Sequence, residues 1–361
     1  MTLISAFLAF VITIAFMFSL RPVAVAVGLV DVPGGRKRHD GPVPVIGGIA
    51  MVIGLGTAAS LVDQPEYWNT VLMAIFLMVA IGTIDDRFDL PAQTRLIAQC
   101  CAALLVTFGA GVAVQHLGQP FFFDLPLGPL APPFTVLFIV TLINGFNVID
   151  GLDGLAGGLA FLALVALAIV GFGSEVFPLI VILATVVAAF LTFNLPLGFN
   201  RSVRAFMGDA GATALGLAIA CFGIALSQGE AARISPVTGL WLIAIPVFDL
   251  FSAIMRRVAE GRSPFDPDHE HLHHTLVVAG LSRPTALVVM LSIGVILAAA
   301  GVVAHFLGLP DGVLLITWVA CGILYYQAMR KPHALVRAIL AMQARVARSL
   351  QTNASDVKEV P

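Results

Sequence analysis

Residues 143–158 read INGFNVIDGLDGLAGG and place four polar side chains at the end of an apolar run. Asn144, Asn147 and Asp150 are three residues apart, so a helix would set them along one face, and Asp153 follows after a glycine. The glycines allow the backbone to approach a ligand closely. Amides and carboxylates in this pattern favour a polar ligand or a metal ion. A flexible hinge with capping acids is the structural alternative.

The stretch GTIDDRFDL (residues 82–90) holds three carboxylates, Asp85, Asp86 and Asp89, near the end of another apolar run. Helix capping explains one such aspartate, but three so close together repel one another unless a cation lies among them. Oxygen ligands beside phosphate chemistry favour magnesium, which keeps water in its shell and needs only one or two protein groups. We therefore expect a metal-bridged phosphate substrate.

In FMGDAGAT (residues 206–213), Asp209 comes just before an apolar helix whose first amides are free. Such a helix start is a natural site for an anion. Arg201 and Arg204 precede it and add positive charge. The motif indicates anion binding, with an ordinary N-cap as the alternative.

The sequence RRVAEGRSPFDPDHEHLHH (residues 256–274) is the most polar segment between two apolar runs. Its histidines, at 269, 271, 273 and 274, could bind zinc, but the acids among them and the lack of cysteine disfavour a dedicated zinc site. A phosphate cradle of His and Arg fits better. Asp249, two helical turns before Arg256, would orient that arginine or a histidine, or form a buried ion pair between helices.

Composition defines the elements that must position these residues. Of 361 residues, 59% are hydrophobic and 11% are charged, and the mean hydropathy is +1.00. These values exclude a soluble domain and predict an all-α polytopic membrane protein. Because a span needs about 20 apolar residues, we predict eleven transmembrane helices. They lie near 2–20, 43–61, 69–84, 95–114, 134–149, 155–172, 176–193, 210–228, 237–255, 284–305 and 311–328.

Lysine and arginine set the predicted orientation. With the amino terminus outside, eighteen of the nineteen basic residues fall on the cytoplasmic side and only Arg233 falls outside. The carboxyl terminus is then cytoplasmic. We predict a single membrane domain over residues 1–330 and a tail over 331–361, whose segment 333–350 has the pattern of an amphipathic helix at the inner leaflet. Residues 121–133 predict a small outer hairpin.

Fifteen of the twenty-one acids fall on the predicted cytoplasmic side. Seven of them lie at or just inside ends of predicted helices, where ionisable groups are costly and usually functional. These seven predict an active site at the cytoplasmic face. They are Asp85, Asp86, Asp89, Asp150, Asp153, Asp209 and Asp249.

Five motifs in this order resemble those of the polyprenyl-phosphate N-acetylhexosamine-1-phosphate transferases, the WecA and MraY superfamily. They are GLVDVPGGRKRHDGPVPVIGG, GTIDDRFDL, NGFNVIDGLDGLAGG, FMGDAGAT and SPFDPDHEHLHH. The resemblance covers about residues 20–330. RKRH followed by PVIGG, and HEHLHH, are more similar to the WecA branch than to the peptidoglycan branch.

The resemblance implies a reaction at the inner leaflet of the bacterial cytoplasmic membrane. A sugar 1-phosphate, GlcNAc-1-phosphate by default, would pass from a UDP-sugar to undecaprenyl phosphate, giving undecaprenyl-diphosphate-sugar and UMP. Mg²⁺ is the implied cofactor, with Mn²⁺ as a substitute, and no nucleic acid is an expected partner. A homodimer would fit the small residues of one predicted helix, which could support close packing. They are Gly54, Gly56, Ala58 and Ala59.

The resemblance also implies roles for matching residues. Asp209 and Asn147 would hold magnesium on the diphosphate, and Asp85 and Asp86 would lie where the lipid phosphate attacks, with Asp150 in the same catalytic group. The remaining matching residues would bind the donor. Those before residue 210 would contact the uridine, and the later ones would contact the diphosphate and sugar. Of the later ones, His273 would be catalytic. These matching residues are Asp153, Asn194, Phe206 (stacking on uracil), Arg256, His271, His273 and His274.

Two other classes of protein use polar groups in a membrane. A magnesium-dependent intramembrane prenyltransferase should carry two similar acidic motifs, and it would leave the histidine-rich loop without a role. A secondary transporter should place polar groups near mid-membrane and show two repeated halves. The acids here crowd one predicted face, and no repeat is present in the sequence.

Overall fold

The computed structural model describes residues 1–32, 41–121, 123–196, 204–264, 266, 270–337, 339–341, 343 and 345. This part of the chain is mostly helical, and the only sheet within it pairs β1 (Val30–Asp31) with β2 (Val43–Pro44). Its α-helices are α1 (Thr2–Val27), α2 (Gly47–Ala59), α3 (Trp68–Phe88), α4 (Ala92–Leu104), α5 (Ala131–Ile149), α6 (Leu155–Val170), α7 (Phe177–Asn194), α8 (Gly208–Ser227), α9 (Pro236–Leu242), α10 (Ala244–Ala259), α11 (Leu272–Val278), α12 (Arg283–Phe306) and α13 (Asp311–Met329).

Helix length and composition define a multi-pass membrane protein. In the described residues, eight helices are long and apolar enough to cross a bilayer, and the bent pair α9 and α10 would be a ninth. Two further apolar helices, α2 with 13 residues and α6 with 16, coincide with predicted runs. Each of the eleven predicted runs therefore has a helical counterpart, while the number of crossings stays a prediction.

The predicted single helix over residues 237–255 is wrong in shape. Two helices, α9 and α10, meet there at an angle of 82°. The break falls at Ile243, three residues before Pro246. Proline lacks an N–H and its ring clashes with the preceding turn, so it is tolerated in the first turn of a helix but not in its interior. The bend directs α10 toward the segment that carries the histidines.

Helix α8 is the most buried of the long helices and packs mainly against α3 and α5. Small residues permit these contacts. A Cβ on Gly82 of α3 would lie 2.4 Å from the Cα of Ala210, and one on Gly216 would lie 2.5 Å from the carbonyl oxygen of Leu142. Close approach of backbones through small residues is the usual way in which membrane helices pack.

A short two-stranded sheet joins the start of α8 to the start of α2. β1 and β2 are antiparallel, and Phe206 continues the arrangement by donating its N–H to the Pro44 carbonyl at 2.9 Å. Gly47 returns a hydrogen bond of 3.0 Å to the Phe206 carbonyl. A Cβ on Gly48 would lie 2.3 Å from the Gly211 nitrogen. The double glycine of PVIGG therefore lets the first turns of α2 and α8 touch.

A small hairpin is present near the predicted one, although it begins earlier in the chain, and its place on the outer side stays a prediction. Leu117 donates to the Leu125 carbonyl at 2.9 Å, and Leu127 donates to the Gln115 carbonyl at 2.8 Å. The side chain of Asp311, at the start of α13, accepts the Gln119 N–H at 2.9 Å. This hairpin lies at the end of the helices opposite to the acidic motifs.

The small residues of α2 pack within the chain. A Cβ on Gly54 would meet the Thr13 hydroxyl of α1, and one on Gly56 would lie 3.2 Å from the Phe76 ring. Ala58 and Ala59 are fully buried. These contacts explain the residues without a second copy of the chain.

Some predictions fall outside the described residues. They concern the basic run 36–38, Arg201, His269 and most of the tail. A helix over Pro332–Ala341 marks only the start of the predicted tail helix.

Candidate active site

A cleft of about 520 Å³ opens where the acidic motifs meet. It is formed by the end of α3, the starts of α4 and α8, the end of α5, the face of α10 and the segment before α11. Aspartates, amides, arginines and histidines from distant parts of the sequence line its polar part. They are Asp85, Arg95, Gln99, Asn144, Asn147, Asp150, Asp209, Thr213, Arg257, Asp266, His271, His273 and His274.

Asp86 fixes the start of α8 rather than facing the cleft. Its carboxylate accepts the main-chain N–H of Asp209 at 2.8 Å and that of Ala210 at 3.3 Å. The predicted anion site at this helix start is thus filled by a carboxylate of the protein itself. Gly208 has φ of 71°, and a Cβ there would lie 2.3 Å from the Asp86 carboxylate, so glycine is required. Asp86 therefore positions the start of α8, and its predicted place at the attacking phosphate stays a prediction.

A network of charged and amide groups joins four helices, α3, α4, α5 and α8, at the cleft. Arg95 of α4 donates to Asp85 at 3.1 Å and to Asp209 at 3.4 Å. Asn147 of α5 donates to the other oxygen of Asp209 at 2.7 Å. Leu90 N–H adds a 2.7 Å bond to Asp85. Arg95 is therefore the cation that balances these acids within the protein.

Asp89 does not join this cluster, contrary to the expected trio around one cation. It ends α3 in a left-handed conformation with φ of 53° and is exposed. Short polar side chains tolerate this conformation at helix ends. Only Asp85 and Asp86 of GTIDDRFDL serve the site.

The end of α5 agrees with the predicted helical face. The helix stops at Ile149, with Asp150 as its C-cap, so Asn144, Asn147 and Asp150 all reach the cleft. Asn144 is held by Gln99, to which it donates at 2.6 Å. Burial, and then nearby carboxylates of which Asp209 is the strongest, raise the pKa of Asp150 well above its usual range. A carboxyl in this condition is suited to bind a cation.

The histidines stand against the end of α5. A Cβ on Gly151 would lie 2.2 Å from His273 Nε2, so the glycine makes room for that ring. His273 is 1% exposed, and neither ring nitrogen has a hydrogen-bond partner among the described residues. Burial, and then the charge of His274, lower the pKa of His273 to about 3. His273 is thus neutral, and both of its ring nitrogens line the cleft without a partner among the described residues. Buried polar atoms are usually hydrogen-bonded, so these nitrogens are suited to bind a ligand.

Asp249 orients a histidine, one of the alternatives that the sequence left open. It lies in the middle of α10 rather than at a helix end, is 1% exposed and accepts from His271 Nδ1 at 2.8 Å. His271 in turn stacks on His273, with ring centroids 5.8 Å apart.

Arg256 is not among the described residues that line the cleft, and its predicted role in binding the donor stays a prediction. Arg256 donates to the Met329 carbonyl at 3.2 Å and lies 3.1 Å from Glu270. Arg257, one residue on, lines the cleft and is held by the Pro264 carbonyl. A shift of one residue turns a helical side chain by about 100°, so the sequence did not separate the two.

Asn194 is engaged within the protein, and its predicted contact with uridine stays a prediction. It is 5% exposed, accepts the Gly154 N–H at 2.7 Å and donates to the Ala205 carbonyl at 3.0 Å. It therefore ties the turn that carries Asp153 to the segment that carries Phe206. Asp153 lies 4.0 Å from Arg283, and neither Asp153 nor Phe206 lines the cleft.

Sequence reasoning missed several cleft residues. Arg95 enters the sequence analysis only as one of the basic residues that predict the orientation of the chain in the membrane. The motifs do not single out Gln99, Thr213, Arg257 and Asp266 as site residues. Gln99 offered a signal, since an amide in an apolar helix needs a partner and finds Asn144.

The cleft offers oxygen ligands for a hard cation. Among the described residues, no three His, Cys, Asp or Glu side chains already form a metal site. Magnesium does not need one, because it keeps water and substrate phosphate as ligands. Asp209 and the Asn147 amide, which touch each other at 2.7 Å, are the pair best placed to contribute oxygens.

These features define a multi-pass membrane protein with an acidic, phosphate-type cleft at one end of its helices. Residues 68–227 match the model of glycosyl transferase family 4. The chain is similar to proteins named undecaprenyl-phosphate alpha-N-acetylglucosaminyl 1-phosphate transferase. That of Yersinia pestis is 34% identical over 94% of each chain, that of Escherichia coli K12 equally so, and that of Haemophilus influenzae is 33% identical over 96% of this chain and 99% of its own.

The chain therefore belongs to glycosyl transferase family 4, and the resemblance inferred from its motifs is confirmed. It is a phosphoglycosyltransferase. The prenyltransferase and transporter alternatives have no support in these similarities.

Proposed function

We propose that this protein transfers GlcNAc-1-phosphate from UDP-GlcNAc to undecaprenyl phosphate, giving undecaprenyl-diphosphate-GlcNAc and UMP. One observation carries the proposal: Asp85, Asn147 and Asp209 come from three helices and meet in a cleft that histidines and Arg257 also line. Negative and positive groups side by side suit a metal-bridged diphosphate. The names of the similar proteins support the donor sugar and the lipid acceptor.

The cleft belongs at the inner face of a bacterial cytoplasmic membrane in this proposal. The orientation rests on the sequence prediction, in which eighteen of the nineteen basic residues fall on the cytoplasmic side. The amino terminus is then outside and the carboxyl terminus inside. A nucleotide sugar reaches the cleft from the cytosol, and the lipid acceptor reaches it from the bilayer.

Magnesium is the proposed cofactor, held by Asp209 and Asn147. When bound, it supplies charge neutralisation for a diphosphate. The donor set fits, because the residues are oxygen ligands and Asp150 beside them is a carboxyl whose raised pKa reflects burial without a nearby cation of its own. His273 and Arg257 face the same space and are suited to bind phosphate oxygens.

The proposed reaction is a direct displacement. An oxygen of the acceptor phosphate bonds to the phosphorus of the sugar 1-phosphate, and the bond from that phosphorus to the UMP oxygen breaks. The second pKa of a phosphate monoester lies near 6, so the acceptor is largely a dianion at neutral pH and needs little help from a base. Asp85 and Asp86 are both engaged, with Arg95 and with the start of α8, which argues against either as a covalent nucleophile.

The uridine would lie beside the turn of Asp153 and the segment of Phe206. Asn194 holds these two segments together through Gly154 and Ala205. An aromatic ring next to a base and a carboxylate facing its polar edge are suited to recognise a nucleobase.

The test uses the purified protein in detergent with labelled UDP-GlcNAc, undecaprenyl phosphate and Mg²⁺. We expect UMP and a sugar-linked lipid in equal amounts, and loss of both when EDTA is added. Release of UDP instead of UMP would show transfer of the sugar alone and would overturn the proposal. A panel of UDP-sugars, including UDP-GalNAc, decides the sugar.

A second experiment addresses the direct displacement. Labelled UMP is incubated with UDP-GlcNAc and enzyme in the absence of lipid. We expect no label in the UDP-sugar, because a single step needs the acceptor. Exchange of label would require a covalent intermediate.

A further inference from the structure

A tyrosine outside the cleft is bonded to the carboxylate that holds His271. Asp249 is buried in α10 and accepts three hydrogen bonds: from His271 Nδ1 at 2.8 Å, from the Leu272 N–H at 3.2 Å and from the Tyr325 hydroxyl at 2.7 Å. Tyr325 lies on α13, and no described residue of α13 lines the cleft. Helix α13 is therefore linked to the active site through Asp249.

A second bond from α13 ends on the same segment. The Met329 carbonyl accepts from Arg256, whose Nε lies 3.1 Å from Glu270. Glu270 and His271 are adjacent, so two links from one helix, four residues and one turn apart, converge on neighbouring residues. This convergence favours a brace for the histidine segment over an isolated polar contact.

The hydrogen bonds decide which nitrogen of His271 is available. A carboxylate only accepts, so the bond to Asp249 requires a proton on Nδ1 and leaves Nε2 for a ligand in the cleft. A carboxylate behind a functional imidazole fixes its tautomer and the orientation of its ring. The Tyr325 hydroxyl takes the other oxygen, Oδ1, and so prevents the carboxylate from rotating.

We propose that Tyr325 is a positioning residue that acts through Asp249 to hold His271 with Nε2 toward the diphosphate. This inference rests on the proposed function. Tyr325 also packs beside Phe248, with ring centroids 6.0 Å apart. Packing and positioning are separable, because phenylalanine keeps the ring and removes only the hydroxyl.

The experiment is a double-mutant cycle on the full-length protein in detergent. The variants are Tyr325→Phe, His271→Ala and the two combined, with Tyr326→Phe as the matched control on the next residue. We expect Tyr325→Phe to lower kcat roughly tenfold and to leave KM for the UDP-sugar within about twofold, since correct orientation matters most where charge develops in the transition state. Tyr326→Phe should match the wild type.

The combined variant separates positioning from packing. If Tyr325 acts through His271, Tyr325→Phe has no further effect once His271 is alanine. An equal loss of kcat in both backgrounds, or no loss in the wild-type background, would overturn the proposal. Should Tyr325→Phe fail to fold, as judged by its melting curve, Asp249→Asn tests the same link. It should lower kcat more strongly, and again only while His271 is present.

The wild-type assay keeps the two proposals apart. Turnover of any UDP-sugar by the wild type provides the reference for every ratio above, whichever sugar is used. A wild type that releases no UMP contradicts the proposed function alone. In that case the positioning of His271 by Tyr325 is tested by the ¹⁵N chemical shifts of the His271 ring. They should report a protonated Nδ1 in the wild type and a mixture of tautomers in Tyr325→Phe. Identical shifts in the two proteins would overturn the positioning proposal.

Discussion

Asp86 accepts the main-chain N–H of Asp209 at 2.8 Å, so a carboxylate of α3 caps the helix that presents the central carboxylate of the cleft. The two residues are 123 positions apart in the sequence. Their contact joins the motif GTIDDRFDL to the motif FMGDAGAT, and the first motif thereby stabilises the helix start that contains the second.

The capping contact predicts a graded response at position 86. Asp86→Ala removes the acceptor and should cost about 0.5–2 kcal/mol of stability, as loss of an N-cap usually does. Asp86→Asn keeps an acceptor oxygen and should lose less of both stability and activity. Melting temperature and UMP release measure the two effects. Equal inactivation by both changes, with unchanged melting, would instead indicate direct chemistry by the carboxylate.

A methyl group at the crossing of α3 and α8 should move Asp209. Gly82→Ala places a Cβ 2.4 Å from the backbone of Ala210 and should destabilise the protein by about 1–3 kcal/mol, the usual cost of overpacking. Activity should fall with it. Gly223→Ala is the matched control, because nothing lies within 4 Å of its Cβ. Similar melting temperatures for the two variants would contradict this packing.

Substitution of either proposed metal ligand, Asp209 or Asn147, should lower activity and raise the requirement for Mg²⁺. Asp209→Asn and Asn147→Ala should each lower kcat by about 10²–10³, the magnitude typical for loss of one stabilising group in an active site. The Mg²⁺ concentration for half-maximal activity should rise in whatever activity is left. Asp124→Asn, in the exposed hairpin, is the control. Normal Mg²⁺ dependence in Asn147→Ala would remove that residue from the ligand set.

His273 predicts a dependence of stability on pH. Its pKa is lowered from 6.5 to about 3, so between these values the unfolded chain binds the proton more readily than the folded one. Its contribution is complete above pH 6.5 and is lost as the pH falls toward 3. Between pH 7.5 and 5 the loss should be about 2 kcal/mol.

The measurement compares melting temperatures at pH 7.5 and pH 5 for the wild type and for His273→Asn. The variant lacks the titrating group, so its melting temperature should decrease less on acidification. An equal decrease in both proteins would mean that His273 is not held neutral in the folded state.

Substitutions of the two adjacent arginines should have different effects, one on activity and the other on stability. Arg257→Ala should lower kcat/KM at least about tenfold, because a charged group would be lost from the phosphate site, with little change in melting. Arg256→Ala should mainly reduce stability, by about 1–3 kcal/mol, because the buried Met329 carbonyl would lose its hydrogen-bond donor. Melting curves and kinetics of both variants provide the comparison. The reverse pattern would restore Arg256 as the ligand-binding residue.

The sequence was sufficient wherever a pattern was local. The spacing of Asn144, Asn147 and Asp150 predicted one helical face, and all three reach the cleft. Apolar runs marked the helices because hydrocarbon leaves a chain few other ways to satisfy its backbone. The motif order identified the family, which the similar proteins confirm.

The sequence could not assign partners across distance. Asp85 and Asp86 are neighbours with the same chemistry, yet one pairs with Arg95 in the cleft and the other caps α8. Arg256 and Arg257 are likewise identical in type, and only the packing of α10 against α13 decides which of them lines the cleft. Asn194 has an amide side chain of the type that binds ligands, but in the structure this amide is hydrogen-bonded to the backbone of Gly154 and Ala205.

By itself, the sequence determined that this chain is membrane-embedded with oxygen-rich motifs at helix ends, because hydropathy and spacing act along the chain, and the resemblance of its motifs identified the family. Tertiary structure alone decided which carboxylate lines the cleft, which one holds a helix and which histidine is oriented by Asp249. Those outcomes depend on where glycines such as Gly82 and Gly151 let two segments approach, and on which buried group is nearest to satisfy each charge.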